Sequence, residues 1–546
     1  MNRHTTIEIL LLIGLCLSGA AALIYEVVWT RSLALVMGST TYALSTMLAA
    51  FMTGLTVGGY LGGLWADRTK NPSFAFGLIE AGIAIFGLIT LIFIKSLSPL
   101  YAWVFYTFHL SFSSFSLAQF ILSFILMLIP TTLMGATFPL VLKARARNLG
   151  EIGRETGDVY SINNLGAILG SVAAGFILIP AFGVTTTNIV AASINLVVAL
   201  IILTISSSQS NKVWSIVLMW GIFLISLFLT IYVHVPPYIY NYYKASRYPS
   251  YTVFREANKW EKLIFEKEGV QGMIQVFRDA RNNTLKLVNN GKTEGSVTRI
   301  GIQIEGVSAI DWANQLLLAY LPLEINRDAQ SFLNIGLGTG TTLRAAMSDR
   351  ILQEIDCVEI NPIVLEAVQR YFYPELFQDP RIKFVVADAR NYLLLVPKSY
   401  DIISSEPSYP VEQGVSNLFS VEFFRLVKSR LTEDGVFAQW LPGYLLSEED
   451  RKVMIRTFGS VFPNTYVWYV VNSNDIIFVG SNSSLLEPRD IFERIEKREK
   501  AQGMWGSYQL WLRPEDVRMI VKEEGKVNSD DRPFLEFTTS RNMLKG

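Results

Sequence analysis

Long apolar runs fill the first 235 residues, whereas the remainder of the chain mixes apolar and polar positions as soluble domains do. A helix that spans a membrane needs about 20 predominantly apolar residues. The runs that meet this length are 8–28, 41–65, 73–94, 117–142, 160–181, 184–206 and 213–234. A shorter apolar stretch at 97–113 contains Pro99 and favours an interfacial or re-entrant piece. The pattern therefore predicts an α-helical polytopic membrane domain at residues 1–235, with about seven spans in a lipid bilayer.

Small residues recur at helical spacing within these runs, as at Gly54, Gly58 and Gly62. Such rows let helices approach closely in lipid, so helix packing is the expected role and a substrate path is the alternative. Glu26 lies near the end of the first run. An intramembrane carboxylate is a functional candidate, although Arg31 is close enough in sequence to pair with it.

Positive charge near the spans bears on the orientation of the chain. Basic residues concentrate in the loops at 66–72 and 143–154, which places both loops and the N-terminus in the cytoplasm of a cell-membrane protein. Seven spans would then put the second half of the chain outside. A nucleoside cofactor instead requires the cytoplasm, and the sequence leaves this conflict open.

Alternating strands and a glycine-rich loop organise the second half. Residues 273–277 and 285–288 alternate as strands of a small sheet, with a turn at 289–292 between them. The expected divisions are a membrane domain at 1–235, a connector at 236–250, a small β subdomain at 251–300, a Rossmann-like cofactor-binding catalytic domain at 301–480 and a helical closure at 481–546.

The glycine-rich loop follows a buried strand at 331–335 and precedes a helix that starts at Thr341. A second strand ends at Glu359, 21 residues after the middle glycine of the loop. Such a loop lets the backbone approach a ligand, and an acid about 20 residues later accepts hydrogen bonds from ribose. The pattern predicts a Rossmann-type, class I methyltransferase-like α/β domain that binds a nucleoside cofactor. The loop residues assigned to the cofactor are Gly336, Gly338, Thr339 and Gly340.

Two further strands deliver acids to the carboxyl edge of the same sheet, where ligands gather in open α/β folds. The third strand ends at Asp388 and Ala389, a position that faces the base of the cofactor. The fourth delivers Glu406 and Tyr409. Glu406 is a candidate catalytic group, and a solvated loop acid is the alternative.

Charge and residue counts narrow the chemistry. Lysine plus arginine and aspartate plus glutamate both number 47, so no excess of positive charge indicates a nucleic-acid partner. The three histidines, His4, His109 and His234, all lie in the first half or at its edge. The second half therefore cannot use a Ser-His-Asp triad or histidine-ligated zinc, and no metal is expected there.

Residues 265–442 resemble the spermidine synthase family of polyamine aminopropyltransferases, and the whole chain is similar to its membrane-fused members with transporter-like helices. The pieces that carry the resemblance are 287–292, 320–323, 336–342, 358–362, 388–393, 418–424, 435–440 and 530–533, with Tyr25-Glu26 and Ala66-Asp67-Arg68 in the first half.

The resemblance implies transfer of an aminopropyl group from decarboxylated S-adenosylmethionine to a small-molecule amine, as in polyamine biosynthesis. Glu406 falls where the family has its catalytic aspartate and would act as the base. Tyr409 replaces a second loop aspartate of the catalytic site. Glu359 would hold the ribose, and Asp388 with Ala389 the base of the cofactor.

Departures from the family concentrate on the amine side of the site. Thr339 replaces an acidic loop residue, and Asn314 and Leu316 stand where the family has a tyrosine and an acid. Asp530 and Asp531 are candidates to supply the missing acidic contacts.

Two other functions stay open. One is methyl or alkyl transfer from intact S-adenosylmethionine, and the other is a non-enzymatic transporter-like protein that senses a polyamine or nucleoside. An acidic acceptor pocket would favour aminopropyl transfer, and an apolar or aromatic pocket would favour alkyl transfer. A homodimer is one arrangement that the resemblance leaves open.

Overall fold

The computed structural model describes residues 3–108, 111–146, 151–206, 259–298, 310–471, 473–483, 488–502 and 508–542, with short pieces between 217 and 256. The chain divides into two compact units. The helical unit comprises Met1–Tyr251 and Glu268–Gly272, and the α/β unit comprises Thr252–Lys267 and Met273–Gly546.

Long helices make up the described part of the helical unit. They are α1 (Arg3–Met37), α2 (Thr41–Arg68), α3 (Pro72–Phe108), α4 (Phe112–Arg145), α5 (Ile152–Ala173) and α6 (Ile179–Ser206). Five helical segments of the described chain are long and apolar enough to cross a membrane, and the last of them, Ile152–Ser206, spans 55 residues. Gly183, at φ 76° and ψ 169°, interrupts this segment between the two apolar runs predicted there.

One predicted apolar stretch differs from expectation, and another lies mostly outside the described residues. Residues 97–108 continue α3 as one helix instead of forming a separate re-entrant piece. Pro99 lies within this continuous helix. The predicted span at 213–234 lies mostly outside the described residues.

The row of glycines on α2 packs directly on α4. A Cβ atom added at Gly54 would lie 1.8 Å from Thr131 Oγ1, and one added at Gly58 would lie 2.0 Å from the Thr132 carbonyl oxygen. No side chain fits at such distances, so the small residues allow the two backbones to approach. This confirms the packing interpretation of the row.

A small antiparallel sheet opens the α/β unit. Its strands, in spatial order, are β1 (Glu261–Gly269), β2 (Gly272–Asp279), β3 (Leu285–Asn289) and β4 (Lys292–Val297). The turn between β3 and β4 has positive φ at both Asn290 (48°) and Gly291 (78°). Asparagine followed by glycine is the preferred pair for such a turn, which is why the turn was predictable.

The large sheet contains the strands predicted for the Rossmann-type domain. Its strands are β5 (Ser331–Ile335), β6 (Glu354–Glu359), β7 (Ile382–Val386), β8 (Tyr400–Ser405), β9 (Leu431–Leu441), β10 (Asn464–Val470), β11 (Asp475–Ser481) and β12 (Tyr508–Leu512). The spatial order is β12-β10-β11-β9-β8-β5-β6-β7. Strands β9, β8, β5, β6 and β7 run parallel to one another. The expected Rossmann-type fold with a small N-terminal sheet is confirmed.

Helices cover both faces of this sheet. They are α7 (Ile310–Ile325), α8 (Thr341–Met347), α9 (Pro362–Ala367), α10 (Ala389–Leu395), α11 (Val421–Lys428), α12 (Glu448–Gly459), α13 (Pro488–Gln502), α14 (Pro514–Lys522) and α15 (Phe534–Asn542). Successive strand residues point to opposite faces, so Phe332 joins one apolar core and Leu333 the other. The C-terminal segment, expected to be helical, also contributes β12 at the sheet edge, because it pairs with β10.

Candidate active site

The glycine-rich loop joins the end of β5 to α8 in a conformation that glycine favours. Gly336 has φ 81°, and a Cβ atom added there would lie 2.7 Å from the carbonyl oxygen of Glu406. Gly338 has φ 52° and faces open space, with nothing within 4 Å of an added Cβ atom. The loop therefore packs against the end of β8 on one side and leaves room for a ligand on the other.

Glu359, at the end of β6, is buried behind this loop. Its Oε2 accepts a hydrogen bond from the Leu337 backbone N–H at 2.9 Å, and its Oε1 accepts one from the Asn361 N–H at 2.9 Å. Burial raises the pKa of Glu359, although these two N–H groups oppose the increase. Each oxygen retains a lone pair for a further donor such as a ribose hydroxyl.

We expect Glu359→Gln to weaken binding of the nucleoside donor by about 10–100-fold, the equivalent of losing one hydrogen bond to a charged group. An amide supplies one acceptor oxygen instead of two, so a backbone N–H and the ligand compete for it. Calorimetric titration of the full-length protein measures this change. Glu354→Gln is the matched control, because Glu354 begins the same strand with its side chain 64% exposed. Equal affinity in both variants would contradict the assignment of Glu359.

Asp388 and Ala389 lie where β7 ends and α10 begins. The Asp388 side chain caps the helix by accepting a hydrogen bond from the Asn391 N–H at 2.9 Å. Ala389 is buried, and the Ala387 N–H donates to the Glu359 carbonyl oxygen at 3.2 Å. The ends of β6 and β7 are thus adjacent, which brings the predicted ribose and base contacts to one edge of the sheet.

Glu406 follows β8 directly and is mostly buried. Its Oε1 accepts a hydrogen bond from Gln315 Nε2 at 2.9 Å, and Thr342 Oγ1 lies 3.1 Å from its Oε2. Burial raises the pKa of Glu406 from 4.5 to about 7, and the charges of Glu294 and Asp475 add to the increase. A carboxyl group with this pKa exchanges a proton near neutral pH, as a general base must.

Thr339, predicted to contact the cofactor, is fully buried and contacts Gln315. Its hydroxyl donates to Gln315 Oε1 at 3.0 Å, while the amide nitrogen of the same Gln315 donates to Glu406. Thr339 therefore orients the amide that binds Glu406. The loop position at which the resemblance implies an acid is therefore occupied by Thr339, which positions the candidate base Glu406 through Gln315.

A buried lysine, Lys292, lies beside the residues that follow Glu406 in the chain. Its Nζ lies 2.9 Å from Glu294 Oε2 and 3.2 Å from Glu412 Oε1, and it also contacts the Ser408 hydroxyl. The side chain is 1% exposed. Burial lowers the pKa of Lys292, but the two carboxylates outweigh burial and the pKa is raised. Lys292 is therefore a buried cation held between two acids.

Aromatic side chains form the adjoining wall. The Tyr409 ring lies 3.8 Å from Lys292 Nζ and stacks on Trp440 at 6.0 Å between ring centroids. The Tyr409 hydroxyl accepts a hydrogen bond from the Tyr444 hydroxyl at 2.5 Å. Asp475 accepts hydrogen bonds from the Trp440 indole N–H at 3.1 Å and from Asn314 Nδ2 at 2.9 Å. Tyr409, predicted to be catalytic, thus presents its ring to a cation.

Asp530, a candidate for the missing acidic contact, is held by an arginine. Its carboxylate forms a two-pronged ion pair with Arg390, with Arg390 Nη1 at 2.8 Å from Oδ1. This partner lowers the pKa of Asp530. The ion pair with Arg390 on α10 engages this carboxylate, and the contact of Asp530 with an amine substrate stays a prediction.

The sequence did not single out the acids and the amide that surround the predicted residues. Gln315 comes from α7 and Asp475 from β11, and no local spacing connects either of them to Glu406. Glu294 and Glu412 offered a weak signal, because Glu294 closely follows the turn at 289–292 and Glu412 closely follows Tyr409. Together with Glu359 and Glu406, the site gathers five carboxyl groups, of which Glu294 and Glu412 pair with the buried ammonium group of Lys292.

Comparison with known proteins shows which domain this part of the chain resembles. Residues 312–474 match the spermine/spermidine synthase domain. A polyamine aminopropyltransferase of Buchnera aphidicola is 21% identical over 248 residues, which cover 44% of this chain and 82% of the relative. That of Thermotoga maritima is 28% identical over 154 residues, covering 28% of this chain and 52% of the relative.

Solved structures with a similar chain include a spermidine synthase from Thermotoga maritima. It is 20% identical and has a TM-score of 0.36, covering 50% of this chain and 84% of that one. The resemblance inferred from the sequence is confirmed, as is the expected transferase class, since the curated relatives are aminopropyltransferases. Within its C-terminal half, this chain is therefore similar to the spermine/spermidine synthase domain over residues 312–474.

Proposed function

We propose that the α/β unit transfers an aminopropyl group from decarboxylated S-adenosylmethionine to a small-molecule amine. The observation that carries the proposal is the set of five carboxyl groups, Glu294, Glu359, Glu406, Glu412 and Asp475, gathered with an aromatic wall at one sheet edge. Both substrates of this reaction are cations. Buried carboxylates and aromatic faces are the groups that bind them.

The donor is bound by the loop and the ends of β6 and β7. Open space beside Gly338 admits the nucleoside, Glu359 accepts from the ribose hydroxyls, and Asp388 with Ala389 borders the base. Gly336 and Gly340, both at positive φ, hold the loop in this shape. Thr339 supports the site through Gln315.

Glu406 acts as the base. An aliphatic ammonium group has a pKa of about 10 and must lose its proton before its nitrogen can attack. The new N–C bond forms while the bond from that carbon to the sulfonium sulfur breaks, and a neutral thioether leaves. Glu406 takes the proton from the nitrogen. Positioning of the two substrates supplies most of the remaining rate enhancement, since the leaving group is already activated.

The charge of the site also argues against intact S-adenosylmethionine as the donor. Its α-carboxylate would bring a further anion toward five carboxyl groups. Lys292, the buried cation near them, already pairs with Glu294 and Glu412. Specificity for the decarboxylated donor therefore comes from repulsion of the intact one.

Parallel calorimetric titration of the full-length protein with decarboxylated and intact S-adenosylmethionine tests the proposal. We expect tighter binding of the decarboxylated form and, with an added diamine, a product heavier by one aminopropyl group in mass spectra. Preference for the intact form together with methylated product would overturn the proposal in favour of methyl transfer. Binding without turnover of any amine tried would favour a sensing role.

We further propose that the apolar helices span the cell membrane and that the α/β unit faces the cytoplasm, where the donor is made. A single cysteine at the exposed position Glu433, with Cys16 and Cys357 replaced by alanine, tests the orientation. A membrane-impermeant maleimide should label Glu433→Cys only after the cells are permeabilised. Labelling of intact cells would place the unit outside, as seven spans and the basic loops predict.

A further inference from the structure

Glu80 lies in the third turn of α3 within the helical unit and is completely buried. The facing helix α6 presents Asn195, which is also completely buried. Asn195 Nδ2 donates a hydrogen bond to Glu80 Oε2 at 2.6 Å, and the Ser18 hydroxyl of α1 is a second hydrogen-bond donor to the Glu80 carboxyl. Among the described residues, no ion pair reaches Glu80, and a buried carboxylate without a cation is costly.

Two atoms of this pair lack partners. Neither Glu80 Oε1 nor Asn195 Oδ1 has a hydrogen bond within the described chain. Both are acceptors when Glu80 is ionised, so they cannot bond to each other. They are also the two remaining atoms of a carboxyl and an amide that already share one hydrogen bond.

We propose that Glu80 and Asn195 form a proton-binding site between α3 and α6. A proton on Glu80 Oε1 turns this atom into a donor, and Asn195 Oδ1 is the acceptor that completes a paired ring with the existing Nδ2 to Oε2 bond. One proton thereby satisfies both unpartnered atoms and removes a buried charge. A metal cation fits less well, because hard cations take about six or more oxygen ligands.

A neighbouring asparagine, Asn188, has hydrogen-bond partners for both polar atoms of its side-chain amide. Asn188 stands seven residues before Asn195 on α6. Its Oδ1 accepts from the Trp29 indole N–H at 3.1 Å, and its Nδ2 donates to the Gly87 carbonyl oxygen at 3.2 Å. The unpartnered oxygen of Asn195 is therefore a property of the Glu80 site and not of buried amides in this unit generally.

Few other charges bear on this site. Helix α3 packs against α1, α4 and α6. The titratable group that α1 brings to Glu80 is Tyr25, which interacts with it electrostatically and whose hydroxyl also lacks a partner among the described residues. Helix α6 has no charged residue. The remaining charged or titratable residues of these helices are Arg3, His4, Glu8, Cys16, Glu26 and Arg31 on α1, Lys95, Tyr101 and Tyr106 on α3, and Lys143 and Arg145 in the last turn of α4.

Infrared spectroscopy of the full-length protein in detergent tests the site through the carbonyl stretch of a protonated carboxyl group. At neutral pH, wild type and Glu26→Gln should show a band that Glu80→Gln lacks. Glu26 is the matched control because it is a partly exposed carboxylate on α1. Glu406→Gln identifies the separate contribution of that residue to the same spectral region.

Thermal stability as a function of pH and the carbonyl band of Asn195→Leu test the site independently. The thermal stability of wild type should decrease as alkaline pH removes the proton from Glu80. Glu80→Gln should fold, because glutamine can keep the paired ring with Asn195. Its thermal stability should not show this decrease at alkaline pH. In Asn195→Leu the carboxyl band should move to higher frequency, because the acid loses its partners. Identical carbonyl regions in wild type and Glu80→Gln, or an unmoved band in Asn195→Leu, would overturn the proposal.

Discussion

Replacing Glu406 with glutamine should lower the rate of aminopropyl transfer by about 10²–10⁴-fold, the usual contribution of a general base. Glutamine retains the shape of the side chain and an oxygen that can accept from Gln315, so the surrounding bonds persist. It cannot take the proton that the attacking nitrogen releases. Donor affinity should therefore stay within a few-fold of wild type, because Glu359 and the glycine-rich loop are untouched.

Steady-state kinetics and calorimetry on the same preparations measure the two effects separately. Glu433→Gln is the control, since Glu433 is exposed. A Glu406→Gln variant with wild-type turnover would remove Glu406 from the role of base. A variant that loses donor binding and turnover in parallel would make Glu406 a binding residue instead.

The pH dependence of turnover follows from the raised pKa of Glu406. The base accepts a proton only when ionised, so the rate should rise with pH through about 7 and this limb should vanish in Glu406→Gln. Stability changes in the opposite sense. Between pH 4.5 and about 7 the folded protein holds a proton that the unfolded chain has lost, so stability falls as pH rises through this window. The full difference corresponds to about 3 kcal/mol, and Glu406→Gln should lack it.

The parts of the site that the sequence predicted are those set by short segments. A strand, a loop of glycines and a helix follow one another within 331–347, and Glu359 ends the next strand at the expected spacing. These features are local because each depends on residues that are neighbours in the chain. The same reasoning found the Asn290-Gly291 turn and the position of Glu406 after β8.

The residues that the sequence missed are joined by long-range packing. Gln315 and Glu406 are 91 positions apart, and Thr339 contacts Gln315 across 24 positions. No periodic pattern in the sequence shows which helix will cover which strand end. The contact of the Gln315 amide with Glu406 was therefore not predictable from the sequence. Glu80 differs, because a carboxylate within the apolar run 73–94 is a local signal of the same kind as Glu26.

The buried cation Lys292 should prove essential to the stability of the α/β unit. Replacing it with methionine keeps an unbranched side chain but leaves Glu294 and Glu412 without their ammonium partner. Removing one member of a buried ion pair costs about 3–5 kcal/mol, because the other charge stays buried and uncompensated. We therefore expect a loss of this size in the free energy of unfolding.

The loss should also depend on pH. Burial already raises the pKa of Glu412, and Lys292 is the charge that opposes this increase most. Without Lys292 the pKa of Glu412 rises further, so its carboxyl holds a proton to higher pH. A folded pKa above the unfolded value gives stability that is present at low pH and is lost as pH rises. The defect of Lys292→Met should therefore be smallest in acid and grow toward alkaline pH.

Urea unfolding of the full-length protein in detergent, followed by tryptophan fluorescence, measures both effects. Lys267→Met is the matched control, because Lys267 forms a 2.6 Å ion pair with Glu366 on the surface and its side chain is 51% exposed. An exposed pair contributes about 0–1 kcal/mol, so this variant should unfold close to wild type. If Lys292→Met were as stable as Lys267→Met at every pH, the two acids would not need the lysine. Glu294 and Glu412 would then be free to bind the ammonium group of an amine substrate in its place.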